Sequence, residues 1–232
     1  MSLFLPIRIH PEGWRFIGAF AALSLALFYI AQPLGWLGFI LTAWCAYFFR
    51  NPKRVTPTQE GLIVSPADGL VCSIKTMPPP SEFDMGNTPH IRISIFLNIF
   101  DVHVNRIPIG GTILKSIYRS GQFVNAAADK ASDHNERNSL VIQMVDGTKI
   151  AVVQIAGLIA RRILSSARQG DTVETGSVYG VIRFGSRMDI YLPQNIYPLI
   201  IEGQRMIGGE TVIADLATKK ASQKTLREGT CH

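Results

Sequence analysis

The spacing of apolar positions in this chain changes abruptly near residue 50. Phe16 to Phe49 is a run of 34 residues without a charged side chain. As one helix it would be about 51 Å long, well beyond a hydrocarbon core of about 30 Å. Gln32-Pro33 and Gly35 interrupt it, because proline removes a helical hydrogen bond and clashes with the preceding turn. The pattern therefore predicts two helical arms, Phe16–Ala31 and Leu34–Phe49, folded as a hairpin. Trp14, Trp36, Trp44 and Tyr47 suit interfacial positions at a membrane.

Beyond a polar, proline-bearing connector, Arg50–Gly61, the apolar runs become short and β-branched. Strands are predicted over Leu70–Met77, Ile91–Ile99, Thr112–Tyr118, Leu140–Val145, Lys149–Ile155, Ile190–Leu192 and Thr211–Ala214. Asp146-Gly147 separates two of these runs and reads as a hairpin turn. Asn125–Asn138 reads as a short helix or an ordered loop. Gly170 to Gly176 resembles the paired-glycine turn of barrel-sandwich domains such as lipoyl carriers. The fold class expected is α+β, mainly β: a barrel-sandwich-like β domain behind an N-terminal apolar helical hairpin. The division expected is a hairpin over 1–54, a β-rich domain over 55–217 and a mobile basic tail over 218–232.

Charge sharpens the reading of the two ends. The chain has 23 basic and 17 acidic residues, and the excess is not on the β domain. Arg8, Arg15, Arg50, Lys53 and Arg54 face only Glu12 in residues 1–54, and Lys219, Lys220, Lys224 and Arg227 face only Glu228 at the C-terminus. A nucleic-acid binder more often carries positive charge on its folded domain. Basic residues beside an apolar block point instead to an anionic membrane surface, and their place at the outer ends of both arms puts those ends in the cytoplasm. No small-residue cleavage site follows the first arm, which argues against a secretory signal. Cys45, Cys72 and Cys231 are far apart without a CxxC, so neither a disulfide framework nor a cysteine zinc site is expected.

The usual catalytic spacings are absent. There is no G-x-S-x-G, no HExxH, no P-loop, and no metal-ligand spacing among His10, His90, His103, His134 and His232. Four segments remain conspicuous. Ser65-Pro-Ala-Asp68-Gly69 could be no more than an Asp-capped turn. Asp101-Val-His103-Val-Asn105-Arg106 follows an apolar strand and would put Asp101, His103 and Asn105 on one face. Asn135-Glu-Arg137-Asn138 could be a solvated loop. Arg183-Phe-Gly185-Ser186-Arg187-Met-Asp189 holds a Gly-Ser pair, common by chance.

Their order carries more than any one of them. SPADG (65–69), FDVHVNRIP (100–108), YRSGQFVNAAADKAS (118–132), NER (135–137), VQIAGLIARRI (153–163) and RFGSRMDIYLP (183–193), behind an apolar hairpin, resemble phosphatidylserine decarboxylase in its short bacterial and archaeal form. The resemblance covers nearly the whole chain except the tail. It implies a proenzyme that cuts itself at Gly185–Ser186 into a β chain, 1–185, and an α chain, 186–232, which remain together as a heterodimer, with higher homo-oligomers left open. Ser186 would become a pyruvoyl group, the covalent cofactor, whose ketone forms a Schiff base with the substrate amine. His103 would be the general acid or base and Asp68 would orient it. The long form has a second histidine where Arg106 stands here, so the group that deprotonates Ser186 is left open. Arg137, Arg161 and Arg162 are candidate headgroup-phosphate contacts by residue type. The substrate implied is phosphatidylserine in an anionic membrane, the products phosphatidylethanolamine and CO2, and the location the cytoplasmic face of the cell (inner) membrane. No metal and no nucleic acid are expected. The competing reading is a non-catalytic, membrane-anchored barrel-sandwich adaptor or carrier.

Overall fold

The computed structural model describes residues 8–121, 135–157, 162–183 and 186–216. Two helices, α1 (Gly13–Ile30) and α2 (Gln32–Phe48), form the hairpin that the apolar run predicts. They meet at Ala31, which is extended (φ −159°, ψ 133°). Pro33 lies in the first turn of α2, where its missing N–H costs nothing, so it starts a helix rather than kinking one. α1 is long and apolar enough to cross a membrane. The two arms pack through small residues. A Cβ on Gly38 would fall 2.9 Å from the Ser24 Cα, and Ser24 Oγ lies 3.1 Å from Thr42 Oγ1. Close backbone approach with hydroxyl pairing is how apolar helices associate where water cannot drive them together. The outer faces carry Leu25, Tyr29, Ile30, Trp36, Phe39 and Ile40 in exposed positions.

The rest is β structure. In chain order the strands are β1 (Arg8–Ile9), β2 (Arg50–Asn51), β3 (Leu62–Val64), β4 (Gly69–Met77), β5 (His90–Leu97), β6 (Val104–Arg106), β7 (Gly111–Arg119) and β8 (Arg137–Gln143). They continue as β9 (Lys149–Ala156), β10 (Ile163–Ser165), β11 (Thr172–Val173), β12 (Val178–Ile182), β13 (Ser186–Pro193), β14 (Arg205–Met206) and β15 (Val212–Asp215). Eight of them form one antiparallel sheet, ordered β11-β7-β8-β9-β13-β5-β4-β14 and curled as a half-barrel. β10-β12-β6 form a second sheet, β15-β3 a third, and β1-β2 a small ribbon beside the hairpin. The fold class is α+β, mainly β.

All seven expected strands are present. Ile163–Ser165 and Val178–Ile182 were not among them, being short and close to glycine and polar residues. The hairpin at Asp146-Gly147 forms as expected, with Gly147 at φ 84° and Asp146 Oδ1 accepting from the Thr148 N–H. Gly170 and Gly176 both take positive φ (91° and 78°) and bracket β11. The expected segment 125–138 falls largely outside the described residues, as does the basic tail; of it, Arg137 and Asn138 start β8.

Alternation along β13 divides its side chains between two environments. Met188, Ile190 and Leu192 join Ile91, Ile93, Ile95 and Leu97 of β5 in the main core, which Ile163 of β10 and Tyr179 and Ile182 of β12 complete. Arg187, Asp189 and Tyr191 point to the reverse face, where a smaller cluster around Phe83, Val141, Val153 and Ile155 is covered by the Met77–Met85 segment. Ser186, at the head of β13, shares the face of Met188 and so belongs to the main-core side.

Candidate active site

Ser186 is fully buried, and its Oγ has no hydrogen-bond partner among the described residues. A buried hydroxyl normally finds one, and an orphan is costly enough to need a reason. Its backbone is firmly placed: Ser186 pairs with Leu97 of β5 on one side and Ala156 of β9 on the other. Gly185 and Phe184 lie outside the described residues. The chain entering them is nonetheless fixed, because the Ile182 N–H donates to the His103 carbonyl at 3.2 Å. The segment that carries the expected scissile bond therefore runs from a tether on His103 to the head of β13.

His103 is 1% exposed. Its Nδ1 lies 3.0 Å from the Asp101 carbonyl oxygen. A carbonyl only accepts, so Nδ1 carries the proton and Nε2 the lone pair. Phe48, from the last turn of α2, packs on the ring at a tilt of 33°, with centroids 4.3 Å apart. Burial pulls the imidazole pKa down to about 4, opposed only in part by the Asp101 hydrogen bond. At neutral pH this is an uncharged ring with one basic nitrogen, the form that can take a proton from a hydroxyl.

Asp68, expected to orient His103, is engaged elsewhere. Its carboxylate accepts two hydrogen bonds from Arg54 Nη2, at 2.7 and 2.9 Å, and a third from the Gly208 N–H at 2.7 Å. Among the described residues it makes no hydrogen bond to the imidazole, whose Nδ1 is held by the Asp101 carbonyl. Burial raises the Asp68 pKa, with Arg54 opposing the rise. Asp101 is fixed in turn: its Oδ2 accepts from the Asn98 N–H at 2.9 Å, and its Oδ1 pairs with Arg205. Arg106 spends its donors on the Gly176 carbonyl, the Asn51 side chain and the Pro52 carbonyl. It ties the connector to the turn before β12 and offers no proton acceptor.

Of the three expected phosphate-binding arginines, two are described. Arg137 lies on the reverse face of the sheet, 3.6 Å from Glu82, and lines a cavity of about 220 Å³ with Arg92, Ser139, Asp189 and Tyr191. Arg162 is exposed, and Arg161 lies outside the described residues. The neighbours of Arg137 in sequence fare differently: Asn135 Nδ2 donates to the Ala156 carbonyl at 2.7 Å, and Glu136 Oε1 accepts from the Ile163 N–H at 3.0 Å. The Glu136 carbonyl also accepts from the Ala156 N–H at 2.9 Å, so both residues hold the end of β9 beside Ser186, and the Glu136 side chain holds the start of β10. A further buried chain runs Asn138 to Gln154 to Asn105, at 3.0 and 2.8 Å.

Several site residues escape sequence reasoning. Phe48 and Arg54 belong to the hairpin side, and only the tertiary approach brings them to His103 and Asp68. Arg205 stands in a segment with no motif. Asp101 was within sight, being two residues from His103 inside the same block. A wide cleft of about 630 Å³ opens beside these groups, lined by Tyr47, Arg50, Asp68, Asn98, Phe100, Asp101, Arg205, Met206 and Ile207. Among the described residues, no group of three or more His, Cys, Asp or Glu side chains is placed to hold a metal ion.

Comparison with known proteins gives a consistent result. Residues 41–214 match the family model described as phosphatidylserine decarboxylase. The chain is 56% identical over 213 residues to a phosphatidylserine decarboxylase proenzyme of Cereibacter sphaeroides, covering 92% of each chain. It is 57% identical to one of Ruegeria pomeroyi, covering 90% of this chain and 95% of that one. With one of Paramagnetospirillum magneticum the identity is 51%, covering 98% and 95%.

Proposed function

The chain belongs to the phosphatidylserine decarboxylase family, and from that premise we propose that it is a proenzyme that cuts itself between Gly185 and Ser186 and decarboxylates phosphatidylserine to phosphatidylethanolamine and CO2 through a pyruvoyl group at position 186. The observation that carries this reading is the Ser186 hydroxyl: buried, without a hydrogen-bond partner among the described residues, and held at the head of a central strand. It fits a residue whose hydroxyl reacts and whose position afterwards is a chain terminus.

In the cut, Ser186 Oγ attacks the Gly185 carbonyl carbon. The Gly185–Ser186 C–N bond breaks, an ester forms, and the nitrogen leaves as the free amine of Ser186. Loss of the Ser186 Cα proton expels the Gly185 carboxylate and leaves a dehydroalanine. Water then replaces its nitrogen, which departs as ammonia, and the new terminus is a ketone. Glycine before the serine suits the attack because no Cβ shields its carbonyl.

When formed, the pyruvoyl group supplies an electron sink for the pair released as the Cα–carboxylate bond of the substrate breaks. The chain's own residues do the rest. Cα takes up one proton in place of the departing CO2, and His103 is the group we assign to relay it from water: Nε2 accepts the proton and passes it on, with the ring held by Phe48 and the Asp101 carbonyl. The Asn135 side chain and the Glu136 carbonyl hold Ala156 at the end of β9, and so position 186, in place. Asp68 is a positioning residue that joins the connector at Arg54 to the Gly208 turn.

The hairpin, residues 1–54, is the proposed anchor to the cytoplasmic face of an anionic membrane, with residues 55–217 as the catalytic unit. Supporting this, α1 suits a bilayer and the hairpin is bolted to the site: Glu12 pairs with Arg183 at 2.9 Å, and Phe48 lies on His103. A substrate with two acyl chains stays in the bilayer, so the site must come to it.

The test is the intact mass under denaturing conditions, with phosphatidylserine turnover measured on the same sample. The expected result is two chains of about 20 and about 5 kDa, the smaller one lacking the amine of Ser186. Ser186→Ala should give one inactive chain. A variant that is still cut and active would refute the assignment. A single unmodified wild-type chain without turnover would favour the adaptor reading.

A further inference from the structure

The cleft beside Asp101 is lined by two cations, Arg50 and Arg205, with Arg54 behind its Asp68 wall, and the three are not equivalent. The Arg50 guanidinium stacks on the Tyr47 ring, 3.8 Å from its centroid, and donates to the Tyr47 and Phe100 carbonyls. Arg54 gives its hydrogen bonds to Asp68. Arg205 is different. Its side chain is 63% exposed, and its one contact among the described residues is Asp101, through Nη2. A guanidinium carries five N–H donors and Asp101 takes one from Nη2, so the edge formed by Nη1 and the second Nη2–H remains to receive an anion.

Its place matches a particular part of the substrate. The cleft begins at Asn98, the residue after Leu97, which is the partner of Ser186 across β5 and β13. In phosphatidylserine, four bonds separate the amine nitrogen from phosphorus, about 5 Å when extended. Neighbouring strands are about 4.8 Å apart. Arg205 lies across β5 and β4 from β13, in the row Arg187, Phe96, Leu70, Arg205, about 14 Å away at that spacing, so a phosphodiester that extends from position 186 toward the cleft would be met from the far side by the Arg205 side chain. Beyond it the rim is apolar and exposed, with Tyr47, Phe100 and Ile207, which suits the glycerol and acyl side of a lipid.

We infer that Arg205 receives the phosphodiester of the lipid headgroup at the opening of this cleft, while its link to Asp101 keeps the guanidinium in position. The inference rests on the reading above that position 186 takes the substrate amine. It assigns to Arg205 the role that residue type alone had offered to Arg137, Arg161 and Arg162. A bidentate guanidinium–phosphate contact would also favour phosphodiester substrates over serine itself.

Two measurements on the cut enzyme test it. The first is binding of two soluble probes by calorimetry: glycerophosphoethanolamine and ethanolamine. Arg205→Gln should weaken the first about 10-fold and leave the second unchanged, as expected for loss of one exposed charge-assisted contact. Arg205→Lys should recover part of the loss. The second is turnover on phosphatidylserine in phosphatidylcholine vesicles. KM, as surface fraction, should rise by a similar factor, with kcat little changed.

An equal loss for both probes, or no loss for either, overturns the inference. So does a fall in kcat at constant KM, which would mean that Arg205 only steadies Asp101 and thereby His103. Binding to phosphatidylglycerol vesicles separates the substrate's phosphate from general attraction to anionic lipid; it should not change, and a parallel loss there also overturns the inference. Failure of the underlying reading would look different: a wild-type chain that is not cut and releases no CO2.

Discussion

Replacing His103 with glutamine should make the folded chain less sensitive to acid. The native imidazole is uncharged and buried, with a pKa of about 4, whereas an unfolded histidine titrates near 6.5. Between these values the unfolded state binds the extra proton, so stability falls as pH is lowered. The contribution is intact above pH 6.5. Linkage gives a loss of about 2 kcal/mol by pH 5, approaching about 3 kcal/mol as pH reaches 4. Glutamine keeps a polar side chain of similar reach but takes up no proton there. The assay is urea unfolding in detergent from pH 7.5 to 4.5, in the uncut Ser186→Ala background so that one polypeptide is followed. The two proteins should differ in their pH slope by about that amount. Superimposable slopes would mean that the ring is already solvated or charged in the folded state, and the assignment of Nε2 as a neutral proton acceptor would fall with it.

Other consequences can be checked more simply. His103→Gln in the otherwise native chain should abolish turnover; mass analysis then shows whether the cut survives, and full activity would remove His103 from the mechanism. Gly38→Leu should separate the helical arms, because even a Cβ there lies 2.9 Å from the Ser24 backbone; a cost of about 1–3 kcal/mol is expected from overpacking, read as a lower thermal midpoint in detergent, and an unchanged midpoint would refute the close packing. Arg54→Met should leave the Asp68 carboxylate half-buried without its cation and cost about 1–3 kcal/mol; its pKa, already raised by burial, should rise further, so the loss should shrink in acid as Asp68 takes up a proton, and a pH-independent cost would contradict the pairing.

Much of this was legible in the sequence because local chemistry decided it. The uncharged run and Pro33 determine a hairpin whatever else the chain does. The strands of the large sheet are long and β-branched, and Asp146-Gly147 turns one pair by backbone geometry alone. The short strands β10 and β12 were not legible, because their pairing is set by the core they close rather than by their own residues. The site divides in the same way. Ser186 and His103 sit in blocks specific enough to mark them. Asp68 sits in such a block too, yet its partner could not be read, since Arg54 reaches it only when the connector folds back. Residue type offers Arg137 as a phosphate contact but says nothing of its place, which a one-residue alternation along β8 sets on the reverse face beside Glu82.

The position of β13 has a consequence for the life of the molecule. All eight of its residues pair with β5 and six pair with β9, and the fully buried Arg187–Asp189 pair lies on its reverse face. A cut before Ser186 releases no strand edge and no helix; it turns an interior strand into the terminus of a separate peptide. The native contacts that held the precursor then hold the two pieces. Unfolding, however, changes character. The precursor can return by a unimolecular route, whereas the processed pieces must find each other again by diffusion, the smaller one bringing the middle strand of the sheet. Maturation therefore makes denaturation dilution-sensitive and close to irreversible, and the enzyme's lifetime is set by how rarely that sheet opens.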